Sequence, residues 1–272
     1  MTTRNFWPGR SSRPRWPHAD PGTDSDFGGV NVHCRARARR YGHGVFVKIC
    51  GITNEEDALL AIAMGADALG FVFAPGSRRQ VHVDQAHEIV RRLPTGTVTV
   101  GVFRDERPER VIEIVNTVGL TGAQLHGREP ISEVRWIRQR AKFVIQAFTA
   151  GDPNLASAAN GPADVILVDS PDAGSGQLFD WKLAEGAPGG VRLMVAGGLN
   201  SDNVGAAIRR LRPWGVDVST GVEASPGRKD ARKLRKFIQE ARAVGEVVED
   251  DERPPAAPDA PYNWEFDELA GS

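Results

Sequence analysis

The chain has 272 residues, 40% hydrophobic and 25% charged, with a formal net charge of -1. These values suit one large α/β domain or two small ones, exclude a fibrous or wholly disordered chain, and give no global electrostatic reason to expect nucleic acid or an anionic membrane as partner. Two cysteines, Cys34 and Cys50, are too few for a disulfide framework, no apolar run reaches the roughly 18 residues of a membrane span, and no secretory h-region is present, so a cytoplasmic protein with reduced thiols is expected.

Residues 1–44 hold eight Arg and three Asp among Pro, Gly and Ser, with no apolar periodicity. Such a stretch cannot bury enough surface to offset chain entropy and reads as a disordered extension. Its Arg35–Arg40 run, with Trp7 and Trp16, is a candidate RNA or DNA contact. A solvated extension is preferred, and nucleic acid is not expected as a partner. Residues 246–272 hold nine acids and one Arg and form an acidic, Pro-rich tail, also expected to be disordered.

Between these arms, over residues 45–245, short β-branched runs alternate with amphipathic stretches. Val45–Cys50 reads as a strand, Thr53-Asn-Glu-Glu56 as a capping box opening a helix through Met64, and Gly65 as its stop. Further strands are expected at Ala68–Phe73, Thr97–Phe103, Gly122–Leu125, Phe143–Phe148, Asp164–Val168, Val191–Val195 and Val216–Ser219. Helical spacing is clearest at Val204, Ala207, Ile208 and Leu211, and at Leu234, Phe237, Ile238 and Ala241. Eight βα units of about 25 residues match the lower size limit of a (β/α)8 TIM barrel. A doubly wound open sheet would carry a Gly-x-Gly-x-x-Gly turn after its first strand, where this chain has Cys50-Gly-Ile-Thr-Asn54.

Barrel catalysis occurs at the C-terminal strand ends. That rule selects Cys50, Ser77-Arg78-Arg79, Arg104 and Asp105, His126, Asp169, Gly197-Gly198 and Ser219–Glu223. Cys50 is a buried hydrophobe or a base. As a base it needs a nearby cation, and Lys48 shares its strand face, although that lysine could equally fill a barrel layer as a structural charge. Asp169 follows an apolar run, so its pKa should rise, which suits a general acid; a loop or capping role is the alternative. His126 lines the mouth or, as preferred, only hydrogen-bonds the loop. The six dispersed His give no ligand spacing, so no metal is implied. Phosphate binding is expected from the glycine turns after the seventh and eighth strands, Gly197, Gly198, Gly221 and Val222, aided by a helix starting near Asn200 or Ser201. Gly174-Ser175-Gly176 reads as a lid or a further group of amide donors.

Several motifs carry a resemblance to a known family. Lys48-Ile-Cys-Gly-Ile-Thr53, Gly65–Phe73, Ser77-Arg-Arg79, Gln124-Leu-His-Gly127, Leu167-Val-Asp-Ser170, Gly174-Ser-Gly176, Gly197-Gly-Leu199 and Asp217–Gly227 resemble those of phosphoribosylanthranilate isomerases of tryptophan biosynthesis, in order over about residues 45–243. The resemblance implies an aldose–ketose type isomerase that converts N-(5'-phosphoribosyl)anthranilate to 1-(2-carboxyphenylamino)-1-deoxyribulose 5-phosphate by an Amadori rearrangement, without a cofactor. It implies Cys50 as general base, Asp169 as general acid and Arg79 as the arginine that holds the anthranilate carboxylate. The expected partner is a small phosphosugar, with no membrane, and the protein is expected to be a monomer or homodimer. The alternatives are another phosphosugar barrel, such as a ribulose-phosphate epimerase or an indole-forming lyase, and a non-catalytic phosphate-binding barrel.

Overall fold

A computed structural model describes residues 44–158, 160–169 and 191–252. The expectations for Gly174, Ser175 and Gly176, and for most of the two arms, lie outside the described residues. In chain order the elements are β1 (Phe46–Ile49), α1 (Glu55–Ala63), β2 (Ala68–Val72), α2 (Val83–Val90), β3 (Val98–Phe103), α3 (Pro108–Val118), β4 (Gly122–Leu125), α4 (Ile131–Arg138), β5 (Val144–Thr149), α5 (Leu155–Ala158), β6 (Val165–Asp169), β7 (Arg192–Val195), α6 (Val204–Leu211) and β8 (Gly215–Val218). A 3-10 turn (Thr220–Val222), a short antiparallel hairpin of β9 (Glu223–Ser225) and β10 (Arg228–Lys229), and the long helix α7 (Ala231–Glu252) follow.

All eight long strands are parallel neighbours in sequence order, and β1 closes the ring by pairing with β8, Lys48 opposite Asp217. This is the expected (β/α)8 barrel. Side-chain alternation divides each strand between two cores. Inward residues of β3, β5, β6 and β7, among them Val100, Ile145, Leu167 and Met194, fill the barrel. Outward residues such as Val47, Ile49, Leu69 and Phe71 meet the apolar stripes of the helices. The stripe of α7 buries Leu234, Phe237, Ile238 and Ala241, the positions its spacing marked. Among the described residues no helix is long and apolar enough to cross a membrane.

Three boundaries differ from the sequence expectation. Asn54, not Thr53, caps α1, its side chain accepting from the Asp57 amide at 2.9 Å. Thr53 is drawn away because its hydroxyl donates to the Gly227 carbonyl at 2.5 Å, tying the loop after β1 to the β9–β10 hairpin. α6 starts at Val204, because Asn203 folds back so that its Oδ1 accepts from the Asn200 amide at 2.8 Å. Finally, α7 runs through Glu252, so the barrel's last helix takes up seven residues expected to belong to the acidic tail.

Candidate active site

The C-terminal strand ends open on a cleft of about 880 Å³. Cys50, Arg79, His126, Asp169, Gly197 and Gly198 all line it, so it gathers residues that lie up to 148 positions apart. Gly221 and Val222 are not on its wall; Ser219 and Thr220 from the same loop are.

Cys50 follows β1 with its side chain toward the barrel axis, 8% exposed. Lys48, two residues earlier on the same face, is fully buried and its ammonium donates to Asp217 Oδ1 across the β1–β8 seam at 2.9 Å. Burial opposes the lysine's charge, but the Asp217 carboxylate and the Cys50 thiol outweigh it and raise its pKa above the ordinary value. Burial likewise pushes the Cys50 thiol up; the Lys48 ammonium opposes this, the Asp217 anion adds to it, and Lys229 opposes it. Gly70 of β2 makes room for both heads. A Cβ there would lie 2.8 Å from Cys50 Sγ and 3.0 Å from Lys48 Nζ.

Asp169 ends β6 and is 8% exposed. His126 Nε2 lies 3.4 Å from Asp169 Oδ2. The imidazole lines the mouth and contacts the carboxylate, beyond the loop role preferred from sequence. Burial, followed by the cation of Arg104, lowers its pKa to about 4, so at neutral pH it is an uncharged neighbour of Asp169.

Of the two adjacent arginines, Arg78 is exposed and Arg79 is half-buried. The Arg79 guanidinium is already held along one edge, Nε donating to Glu223 Oε1 at 3.1 Å and Nη2 to Oε2 at 2.6 Å. Burial would raise Glu223, yet Arg79 and Lys229 hold its carboxyl below its usual value. Lys229 Nζ bonds Glu223 Oε1 at 3.2 Å and the carbonyls of Cys50 and Ser219 at 2.7 and 3.1 Å, fastening the hairpin beneath the thiol. Among the described residues Nη1 of Arg79 has no hydrogen-bond partner, so that end of the guanidinium is the one available to an incoming carboxylate.

After β7, Gly197 and Gly198 have φ of 86° and 64°, a left-handed pair that other residues adopt only with strain. Among the described residues neither amide donates to a backbone carbonyl outside the strands, which leaves two N–H groups beside the cleft. Gly221 has a different reason to be glycine: a Cβ there would run into the Leu199 carbonyl, so it permits the β7 and β8 loops to touch. Since α6 begins only at Val204, the loop amides rather than its first turn face the cleft. Among the described residues no three His, Cys, Asp or Glu side chains are grouped to hold a metal ion.

Sequence reasoning missed Asp217 and Lys229 and did not separate Glu223 from its loop. Each has a partner over 140 residues distant or one across a β register, and no local spacing reveals such pairs. It also passed over Gln124, 2% exposed on the floor of the cleft with an Oε1 that no described group satisfies.

A closed parallel barrel with a thiol, a carboxyl group and arginines around one C-terminal cleft defines a (β/α)8-barrel enzyme. The chain belongs to the N-(5'-phosphoribosyl)anthranilate isomerase family, whose family model matches residues 47–240. The isomerase of Desulforudis audaxviator is 49% identical over 203 residues, covering 72% of this chain and 97% of its own. That of Pelobacter propionicus is 46% identical over 201 residues, covering 72% of this chain and 95% of its own. Among solved structures, the phosphoribosyl anthranilate isomerase of Thermus thermophilus superposes with a TM-score of 0.68 at 42% identity, covering 72% of this chain and 98% of that one. A second, at TM-score 0.64 and 42% identity over the same shares, was solved in complex with reduced 1-(o-carboxyphenylamino)-1-deoxyribulose 5-phosphate.

Proposed function

We propose that this chain catalyses the Amadori rearrangement of N-(5'-phosphoribosyl)anthranilate in tryptophan biosynthesis, with Asp169 as general acid and Cys50 as general base. The observation that carries this reading is that the two side chains face one cleft from β6 and β1, three strands apart around the barrel. Asp169 gives its proton to the ribose ring oxygen, and the C1–O bond opens to an iminium. The electron-poor imine acidifies the neighbouring C2 hydrogen, which the Cys50 thiolate removes, and the resulting enolamine relaxes to the ketone. No external electron acceptor enters, because C1 is reduced as C2 is oxidised within one molecule.

The substrate's two anionic ends fix the reacting carbon between acid and base. The phosphate takes the amides of Gly197 and Gly198, beside Ser219 and Thr220 of the loop after β8 on the same cleft wall. The anthranilate carboxylate takes the free end of the Arg79 guanidinium, which Glu223 holds rigid from behind. The neutral imidazole of His126 stands beside the carboxylate that Asp169 becomes after proton transfer. Every group named comes from one chain, so a monomer suffices and a homodimer is compatible. A reduced thiol is required, as in the cytoplasm. The test is the loss of substrate fluorescence when purified protein meets freshly made phosphoribosylanthranilate. Turnover that also restores growth of a tryptophan-requiring strain is expected, and a folded protein without turnover would overturn the reading.

A further inference from the structure

We propose that Lys48 is the positioning residue that favours the thiolate form of Cys50, its ammonium anchored by Asp217 and set beside Sγ above Gly70. This deepens the proposed reaction and rests on Cys50 being its base. Lysine on an inward barrel face has two possible uses, filling a layer as a structural charge or acting on a neighbour. A filler would need only its Asp217 partner. Instead, Nζ and Sγ approach the same point over Gly70, at 3.0 and 2.8 Å. That puts the heads in the range of roughly 4–6 Å, or closer, over which opposite charges favour each other's ionised form.

Asp217 fixes the arrangement. Its carboxylate holds Nζ at 2.9 Å, and the full burial of Lys48 leaves the ammonium no water to turn toward. Burial still holds the thiol above its ordinary value, and the Lys48 ammonium limits that rise. The charged groups facing Cys50 are Lys48 on its own strand, Asp217 on β8 and Lys229 on β10, with Arg79, Arg104, His126 and Asp169 around the same cleft. Lys48 is the first of these to favour the thiolate. It keeps its own proton throughout; the thiol's proton leaves to water, and the thiolate then accepts the C2 proton of the substrate.

The experiment is iodoacetamide alkylation of Cys50 as a function of pH, read by mass spectrometry of the Cys50 peptide so that Cys34 does not contribute. Rates are normalised to each protein's alkaline plateau, which separates ionisation from access. In Lys48→Met the normalised rate at pH 7 falls about tenfold, the change that one neighbouring cation can produce. Lys48→Arg stays within about threefold of wild type. Because Lys48→Met strands a buried carboxylate and could fail to fold, the double variant Lys48→Met with Asp217→Asn is measured beside it. Its rate falls in the same direction but by less, since the opposing anion also disappears. Normalised rates unchanged in the folded variants would overturn the proposal and make Lys48 a structural charge. A second readout separates the two readings: the acidic limb of kcat/KM should move with the alkylation midpoint. If alkylation shifts and that limb stays, Lys48 does act on the thiol and it is Cys50 as base that fails.

Discussion

Gly70→Ala tests the placement of the thiol without removing any charged group, though its Cβ would also crowd the Lys48 ammonium at 3.0 Å. The added Cβ would stand 2.8 Å from Cys50 Sγ and 3.1 Å from Cys50 Cα. The backbone atom cannot swing aside, so Sγ must retreat by about 0.6 Å to reach the 3.4 Å of an ordinary contact. Misplacing a catalytic atom by about 1 Å costs on the order of a hundredfold in rate, and kcat for phosphoribosylanthranilate is expected to fall about that far. Overpacking by one methyl group costs about 2 kcal/mol, which for a barrel of this size lowers Tm by about 4–8 °C. The fluorescence assay gives kcat and KM, and calorimetry gives Tm. KM should change little, because neither the phosphate loop nor Arg79 borders Gly70. A folded Gly70→Ala protein with kcat within about threefold of wild type would refute the position assigned to Sγ.

Other substitutions probe the rest of the molecule. Arg79→Lys removes the planar fork at the carboxylate end, so KM is expected to rise at least about tenfold with kcat nearly unchanged; an unchanged KM would dissociate Arg79 from the substrate. His126 has a folded pKa of about 4 against an ordinary 6.5, so the folded protein refuses a proton that the unfolded chain accepts. Stability that is present above pH 6.5 is therefore lost as the pH falls toward 4, about 2 kcal/mol of it by pH 5. Thermal unfolding of wild type and His126→Asn at pH 7 and pH 5 should show the smaller acid loss in the variant, and equal losses would contradict the assignment. At the opposite barrel end, Arg242 reaches from α7 to the Val45 carbonyl at 2.7 Å and to Asp67 Oδ2 at 2.6 Å. Arg242→Ala should cost about 2 kcal/mol in denaturant unfolding and leave kcat within about twofold, since it stands away from the cleft.

The strands were legible because each carries its own local signal. Runs such as Val165-Ile-Leu-Val168 are too short and too β-branched for helices, and glycines like Gly65 and Gly119 mark helix ends with left-handed φ of 95° and 79°. Strand ends then pointed to Cys50, His126 and Asp169 by the geometry of any such barrel. What stayed hidden depends on register. Lys48 and Asp217 become partners only because β1 closes on β8 with those two residues opposite each other. The Arg79–Glu223 pair requires the β2 loop to meet the hairpin after β8, and the displaced cap of α1 arises from the Thr53 bond to Gly227 in that same hairpin. Gly221 looked like an amide donor by its composition, whereas its close approach to Leu199 is visible only with both loops in place.

Replacing the acid and the base one at a time puts the whole scheme at risk. Cys50→Ser and Asp169→Asn preserve size at each position, so the barrel should unfold at nearly the wild-type temperature. Turnover of freshly made phosphoribosylanthranilate should drop at least about a hundredfold in each, as removal of a general base or acid demands. Near wild-type turnover in either folded variant would mean that the proton passes through some other group.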